Sequence, residues 1–217
     1  WTVETTRRVM PALAANGLAY DLWDTMGVNT PGLPTLQMYP AAIWFTGYDW
    51  YQPLTTADET ALARYLDGGG RLFLSAQDYL FVSRLTDFGA RYLGVLTYTD
   101  DITAVAVSGV SGNPIGSGLG PYTLTLPYRE WADIVTPTTS AQVAFLSKQG
   151  DPTALTLDGG VFKTVFFTFP FEGLPEAGRN EVLRRIINWF GPLWASTFTV
   201  DKTQGKPWDV LSYALIL

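Results

Sequence analysis

The chain has 217 residues, 47% hydrophobic and 16% charged, with a net charge of −6 and neither cysteine nor histidine. Such a chain buries a sizeable core in one medium domain, which excludes intrinsic disorder. It has no basic footprint for nucleic acid or an anionic membrane surface, because Lys148, Lys163, Lys202 and Lys206 are scattered along it. The absent residue types remove disulfides, thiolate sites, the cysteine nucleophile, and the commonest general base and metal ligand.

In chain order, Glu4 to Leu18 reads as a helix, with Val9, Met10, Leu13 and Ala14 on one face and Gly17 as its C-cap. Leu18 to Trp23 follows as a short strand, and Asn29 to Pro40 as a proline-rich loop. Ala41 to Thr46 is a continuous apolar run, the pattern of a parallel strand buried on both faces. Thr56-Ala-Asp-Glu59 has the form of a capping box opening a helix with a buried stripe of Ala61, Leu62, Tyr65 and Leu66. Gly68-Gly69-Gly70 ends that helix, and Arg71 to Ser75 is the next buried strand, so 41–76 forms a parallel strand–helix–strand unit.

Asp78 to Leu93 is predicted helical with a break near Thr86. Residues 95–158 change to Thr/Val-rich runs between Gly, Pro and Ser, with strands expected at Ile102–Val107, Tyr122–Leu126 and Gln142–Leu146. Phe162 to Phe169 is a long apolar strand. Asn180 to Phe190 is a helix with Val182, Leu183, Ile186, Ile187 and Phe190 on one face, stopped by Gly191-Pro192. The expected fold is α/β: a three-layer, flavodoxin-like, mostly parallel sheet with a β-rich insertion, plus a short C-terminal β segment.

Four stretches carry a resemblance: Ile43-Trp-Phe-Thr-Gly-Tyr-Asp49, the capped helix after it, Tyr65-Leu-Asp-Gly-Gly-Gly-Arg-Leu-Phe-Leu-Ser-Ala-Gln-Asp78, and Lys163-Thr-Val-Phe-Phe-Thr-Phe-Pro-Phe-Glu172. Together, over residues 1–191, they resemble the class I glutamine amidotransferase-like superfamily, and within it the extracellular branch of bacterial surface proteins. In the catalytic members a cysteine follows the strand that Arg71–Ser75 matches, and a His-Glu pair follows the one that Phe162–Phe169 matches. Here Ser75-Ala76-Gln77 and Phe169-Pro170-Phe171-Glu172 stand instead, so the resemblance implies a scaffold without glutaminase chemistry, Glu172 being the remnant. Such proteins also begin with a strand before the first helix. This chain starts at that helix, so the strand is either absent or belongs to sequence before Trp1; a missing strand would leave a sheet edge or gap for a partner chain to fill. From Ala195 the text is similar to the opening of a bacterial surface immunoglobulin-like repeat, carried by Thr199-Val-Asp-Lys-Thr203 and Pro207-Trp-Asp209. The chain starts on Trp1 and reads as a piece of a modular exported protein, extracellular or on the cell surface, whose partners are its other domains or neighbouring subunits.

In open α/β sheets ligands bind outside the carboxyl ends of the strands. That rim gathers Tyr48, Asp49 and Trp50, then Ser75, Gln77 and Asp78, then Glu172. Ser75 as nucleophile needs a base, and no histidine exists to supply it. Asp49, Asp78 and Glu172 have the chemistry for acid–base glycoside hydrolysis, which requires two carboxyls at a defined separation. The same carboxylates, and Asp100-Asp101, are the calcium candidates, with no Asp-x-Asp-x-Asp-Gly loop among them. Tyr48, Trp50 and Tyr51 have the shape of an aromatic platform for sugar or peptide. The expectation is a non-catalytic structural or interaction module without a cofactor; the alternative is a hydrolase or carbohydrate-binding domain using this rim.

Overall fold

The computed structural model describes residues 2–25, 30–192 and 213–216. Helix α1 (Thr2–Ala15) leads to β1 (Asp21–Asp24), a short α2 (Leu33–Leu36), β2 (Ala41–Phe45), α3 (Thr56–Asp67) and β3 (Arg71–Ser75). Then come α4 (Tyr79–Ser83), α5 (Asp87–Tyr92), β4 (Val95–Ile102), β5 (Ala106–Gly109), β6 (Tyr122–Thr123), β7 (Ala132–Pro137), β8 (Ala141–Ser147) and β9 (Pro152–Asp158). The chain continues through β10 (Lys163–Phe167), a 3₁₀ turn (Phe171–Gly173), α6 (Glu176–Phe190) and β11 (Tyr213–Ile216).

One sheet has the order β1-β11-β2-β3-β10-β9-β8-β5-β6, and β4 pairs with β7 in a second, two-stranded ladder. At its centre β2, β3 and β10 run parallel in register, Ile43 beside Phe73 and Phe73 beside Val165. From β9 onward the ladders are antiparallel, so β9, β8, β5 and β6 of the β-rich stretch extend the same sheet, while β4 and β7 stand in their own ladder.

Alternation along β2 explains the three layers. Ala41, Ile43 and Phe45 face a core shared with Val9 and Leu13 of α1 and Val182 and Ile186 of α6. Ala42 and Trp44 face a second core with Leu62 and Leu66 of α3 and Phe88 of α5. All five side chains are buried, which is why the run carries no polar residue.

Several expectations shift in detail. The buried stripe of α1 is Val9, Ala12 and Leu13, with Ala14 exposed, so the face is rotated from the predicted one. Gly17 is the left-handed residue closing the helix, and Leu18 N donates to Leu13 O at 3.1 Å. The capping box lies one residue earlier than read. Thr55, extended at φ −89°, accepts from Asp58 N at 3.1 Å, and Asp58 accepts in return from Thr55 N at 2.8 Å. Glu59 is thereby released to accept from Tyr79 Oη at 2.6 Å. The break at Thr86 is real: its hydroxyl caps α5 by accepting from Gly89 N at 3.2 Å. Ile102–Val107 is not one strand. It straddles the end of β4 and the start of β5, because Val105 is left-handed at φ 48°. Strands β4, β7 and β9 escaped the sequence reading.

The stretch from Ala195, read as an immunoglobulin-like opening, lies outside the described residues except for Tyr213–Ile216. Those four residues form β11, between β1 and β2.

Candidate functional site

The carboxyl ends of β2, β3 and β10 bring the predicted rim together. Beyond β2 the chain turns at Gly47, left-handed at φ 58°; a Cβ there would meet Thr5 Oγ1 at 2.9 Å. Asp49 is buried, and its Oδ1 accepts from Tyr51 N at 3.0 Å and Gln52 N at 2.9 Å. These two bonds close the turn, a common use of an Asp in such a place. Trp50 and Tyr51 project from it, 55% and 72% exposed, with their rings edge to face at 6.2 Å. Tyr48 turns the other way, its ring 4.8 Å from that of Tyr128.

Beyond β3, Ser75 is buried and bridges two strand ends. Its Oγ donates to Phe169 O at 3.2 Å and accepts from Phe171 N at 2.9 Å. Gln77 is buried, and its Oε1 accepts from Trp131 N at 3.1 Å. The Arg129 guanidinium lies over the Trp131 ring at 3.8 Å. Asp78 is buried at the N-terminus of α4.

Beyond β10, Glu172 sits on the 3₁₀ turn with 1% of its surface exposed. Its Oε1 accepts from Tyr128 Oη at 2.7 Å and from Thr5 Oγ1 at 3.1 Å, while its Oε2 has no hydrogen-bond partner among the described residues. Burial pushes the carboxyl above the usual range, against the Tyr128 and Thr5 hydrogen bonds and the charge of Arg8. Burial, and then Glu172 itself, likewise push the Tyr128 phenol up.

The predicted residues therefore share one end of the sheet, yet each serves a different loop. Among the described residues no group of three or more carboxylates stands close enough to hold a metal ion. Of the calcium candidates, Asp49 holds its own turn and Asp100 pairs with Arg84 at 3.2 Å; the side chain of Asp101 lies outside the described residues. Thr5 and Tyr128, the partners of Glu172, were not read from sequence. They stand 167 and 44 residues away from it, and no local pattern signals such a pairing.

At the opposite pole an open cleft is lined by Tyr39, Tyr65, Gly69, Arg71 and Phe190. Arg71 is engaged there. Its Nε donates to Phe190 O at 3.2 Å, and one terminal nitrogen to Gly69 O at 2.5 Å and Val161 O at 2.9 Å. One guanidinium thus ties the carbonyl end of α6, where positive charge is favoured, to the glycine turn that follows α3.

No protein-family model matches this sequence, and no curated protein matches it. Solved structures do. The β-galactosidase from Rahnella sp. R3 aligns with a TM-score of 0.58 at 14% identity, over 85% of this chain and 26% of the enzyme. A cytoplasmic protein from Salmonella typhimurium aligns with a TM-score of 0.58 at 13% identity, over 84% of this chain and 86% of that one. A ThuA-like protein from Bacteroides uniformis aligns with a TM-score of 0.58 at 13% identity, over 87% and 84%. The likeness is one of fold. At that level the expected flavodoxin-like α/β architecture is met. This chain spans about a quarter of the galactosidase it matches. Among the described residues no helix is long and apolar enough to cross a membrane.

Proposed function

We propose that this chain is a non-catalytic structural and interaction module of a secreted, multidomain bacterial surface protein. One observation carries the reading: the polar groups at the strand ends are engaged in holding loops. Ser75 Oγ both donates to and accepts from backbone, and a nucleophile needs a base at that position instead. Asp49 closes its own turn, Gln77 anchors the backbone at Trp131, and Glu172 is sealed beneath Tyr128 and Thr5. With neither imidazole nor thiol in the sequence, the remaining acid–base candidates are carboxylates serving different loops. The surface setting is supported by the low charged fraction and by the resemblance of residues 199–209 to a repeat opening. A modular role is supported by the matching galactosidase, in which a fold of this kind is about a quarter of a longer chain.

The test is a panel of chromogenic esters, glycosides and amides with purified protein, wild type beside Glu172→Gln, Asp49→Asn and Ser75→Ala. No turnover above background is expected from any of the four. Turnover by the wild type that one of these changes abolishes would overturn the reading. A second reading rests on the exposed Trp50–Tyr51 pair, whose faces are available to stack on a sugar ring. Titrating neutral oligosaccharides against tryptophan fluorescence checks it. A saturating change lost in Trp50→Ala would favour carbohydrate binding; a flat response would remove it.

A further inference from the structure

The loop that carries Tyr128 to Trp131 runs between two rim residues, Glu172 and Gln77, and is anchored at three successive places. Tyr128 Oη donates to Glu172 at 2.7 Å, the buried Glu130 carboxylate accepts from Ala104 N at 2.8 Å, and Trp131 N donates to Gln77 Oε1 at 3.1 Å. Arg129, between the first two anchors, is exposed, and its guanidinium lies 3.8 Å over the Trp131 ring. Among the described residues two other arginines lie over a ring, and each also has a carboxylate. Arg84, over Phe81, pairs with Asp100 at 3.2 Å, and Arg91, over Tyr92, pairs with Asp67 at 3.4 Å. Arg129 has the nearest ring of the three, yet among the described residues it makes no hydrogen bond or ion pair. Glu130 and Glu172 are buried, so the charge this loop presents to solvent is positive.

We infer that the Arg129–Trp131 pair is the acid-reading half of a binding site for a carboxylate-bearing sugar, a uronate, whose ring rests on Trp50 and Tyr51. A guanidinium stacked by one face keeps the donors at its edge, and that fork matches the two oxygens of a carboxylate. The indole holds the guanidinium plane, and the three anchors hold the loop, so little further ordering is needed when the carboxylate arrives. The sugar class comes from the neighbouring loop. The Tyr48 and Tyr128 rings meet at 4.8 Å and join the two loops, and Trp50 and Arg129 stand two residues and one residue from that contact. The exposed rings of Trp50 and Tyr51 offer a surface to the apolar face of a pyranose, while the guanidinium takes its carboxylate. With a net charge of −6 the protein as a whole repels anions, so recognition is by local contact and not by long-range attraction. This deepens the carbohydrate-binding reading and rests on it for the Trp50–Tyr51 platform; the selection for a carboxylate is what Arg129 adds.

Three probes titrated into the full chain by calorimetry at neutral pH test this. They are a galacturonate trimer, its methyl ester, which keeps the rings without the charge, and triglutamate, which keeps the carboxylates without the rings. The trimer is expected to saturate, and the ester and triglutamate to bind about tenfold more weakly or worse. Arg129→Gln is expected to bring the trimer down to the level of the ester and to leave the ester unchanged, with Arg129→Lys intermediate. Trp50→Ala is expected to weaken trimer and ester alike. Arg129 is exposed, so Arg129→Gln should unfold in urea at the wild-type midpoint, which separates lost binding from lost fold. An ester that binds as tightly as the acid, or an Arg129→Gln chain that keeps the preference, overturns the role of Arg129 and leaves the carbohydrate-binding reading standing. Triglutamate binding as tightly as the trimer, or a Trp50→Ala chain that binds as the wild type does, overturns the sugar class. Saturation by neither trimer nor ester overturns the inference together with the reading it rests on.

Discussion

Glu172 holds a carboxyl in a place where water does not reach, and its setting gives a pH signature. Burial raises its folded pKa above the unfolded value of about 4.3. The folded state therefore holds the proton longer than the unfolded chain does. The stability this contributes is fully present below about pH 4.3 and is lost as pH rises toward the folded pKa. Glu130 shifts in the same direction, again by burial first, partly offset by its hydrogen bonds from the backbone of Ala104, Ala132 and Val105. Glu181 runs the other way: its hydrogen bonds from Arg184 and Arg185 bring it to about 2, so its small contribution is present above pH 4.3 and lost below. Glu172→Gln is expected to flatten the fall in stability as pH rises above about 4.3 and to raise the midpoint of urea unfolding more at alkaline than at acid pH, the amide mimicking the protonated acid. Equal pH slopes for the two proteins would show that Glu172 is not protonated in the fold. At Gly47 the geometry is steric: Gly47→Ala must hold φ 58° and move Thr5, at a cost of about 1–3 kcal/mol. Unchanged thermal unfolding would contradict that geometry.

Among the elements, the C-terminus of α6 and the glycine turn after α3 share one device. Arg71 donates to Phe190 O at the end of α6 and to Gly69 O in that turn, and Lys163 Nζ adds a bond to Trp189 O at 2.8 Å. Arg71→Met keeps much of the stem but leaves several carbonyls without their charged donor. A hydrogen bond from a charged group is worth about 1.5–3 kcal/mol, so a loss of that order is expected in chemical denaturation, with Arg71→Lys intermediate. A loss no larger than that of an exposed arginine such as Arg91 would refute the capping role. At the other end of α3, Thr55→Ala removes the capping box and is expected to cost about 1 kcal/mol, whereas Thr56→Ala, one residue on, costs little. A larger loss for Thr56→Ala than for Thr55→Ala would place the cap at the residue first read from sequence.

Considered as one molecule, the two cores lie on opposite faces of the same strands: Phe73 and Phe167 contribute to one, Leu72 and Phe166 to the other. Neither face can lose its packing while the strands stay in place, so unfolding is expected to be a single transition. Urea curves from tryptophan fluorescence, from far-UV circular dichroism and from fluorescence of a Trp44→Phe variant scaled to its own stability should each be two-state, with the wild-type pair coincident. Separated midpoints in the wild type would show independent halves. The antiparallel flank β9-β8-β5-β6 belongs to that unit through its ladder with β10.

The sequence by itself determined the parallel centre, because a strand buried on both faces must be apolar throughout, and Ala41–Phe45 and Arg71–Ser75 satisfy that locally. It determined α3, the break at Thr86 and α6 for the same reason: caps, glycines and a 3.6-residue stripe are properties of neighbouring residues. It also placed the rim, since strand ends follow from strands. What the rim residues do was decided in the tertiary structure. Ser75 meets Phe169 and Phe171, Gln77 meets Trp131, and Glu172 meets Thr5 and Tyr128, contacts across long sequence separations that no local pattern encodes. The same holds for β4, β7 and β9, whose partners rather than their own residues select the strand, and for β11, whose seat exists because β1 and β2 stand one strand apart. Local sequence acts through backbone preference and periodicity, whereas pairing and burial between distant segments are settled when the whole chain packs.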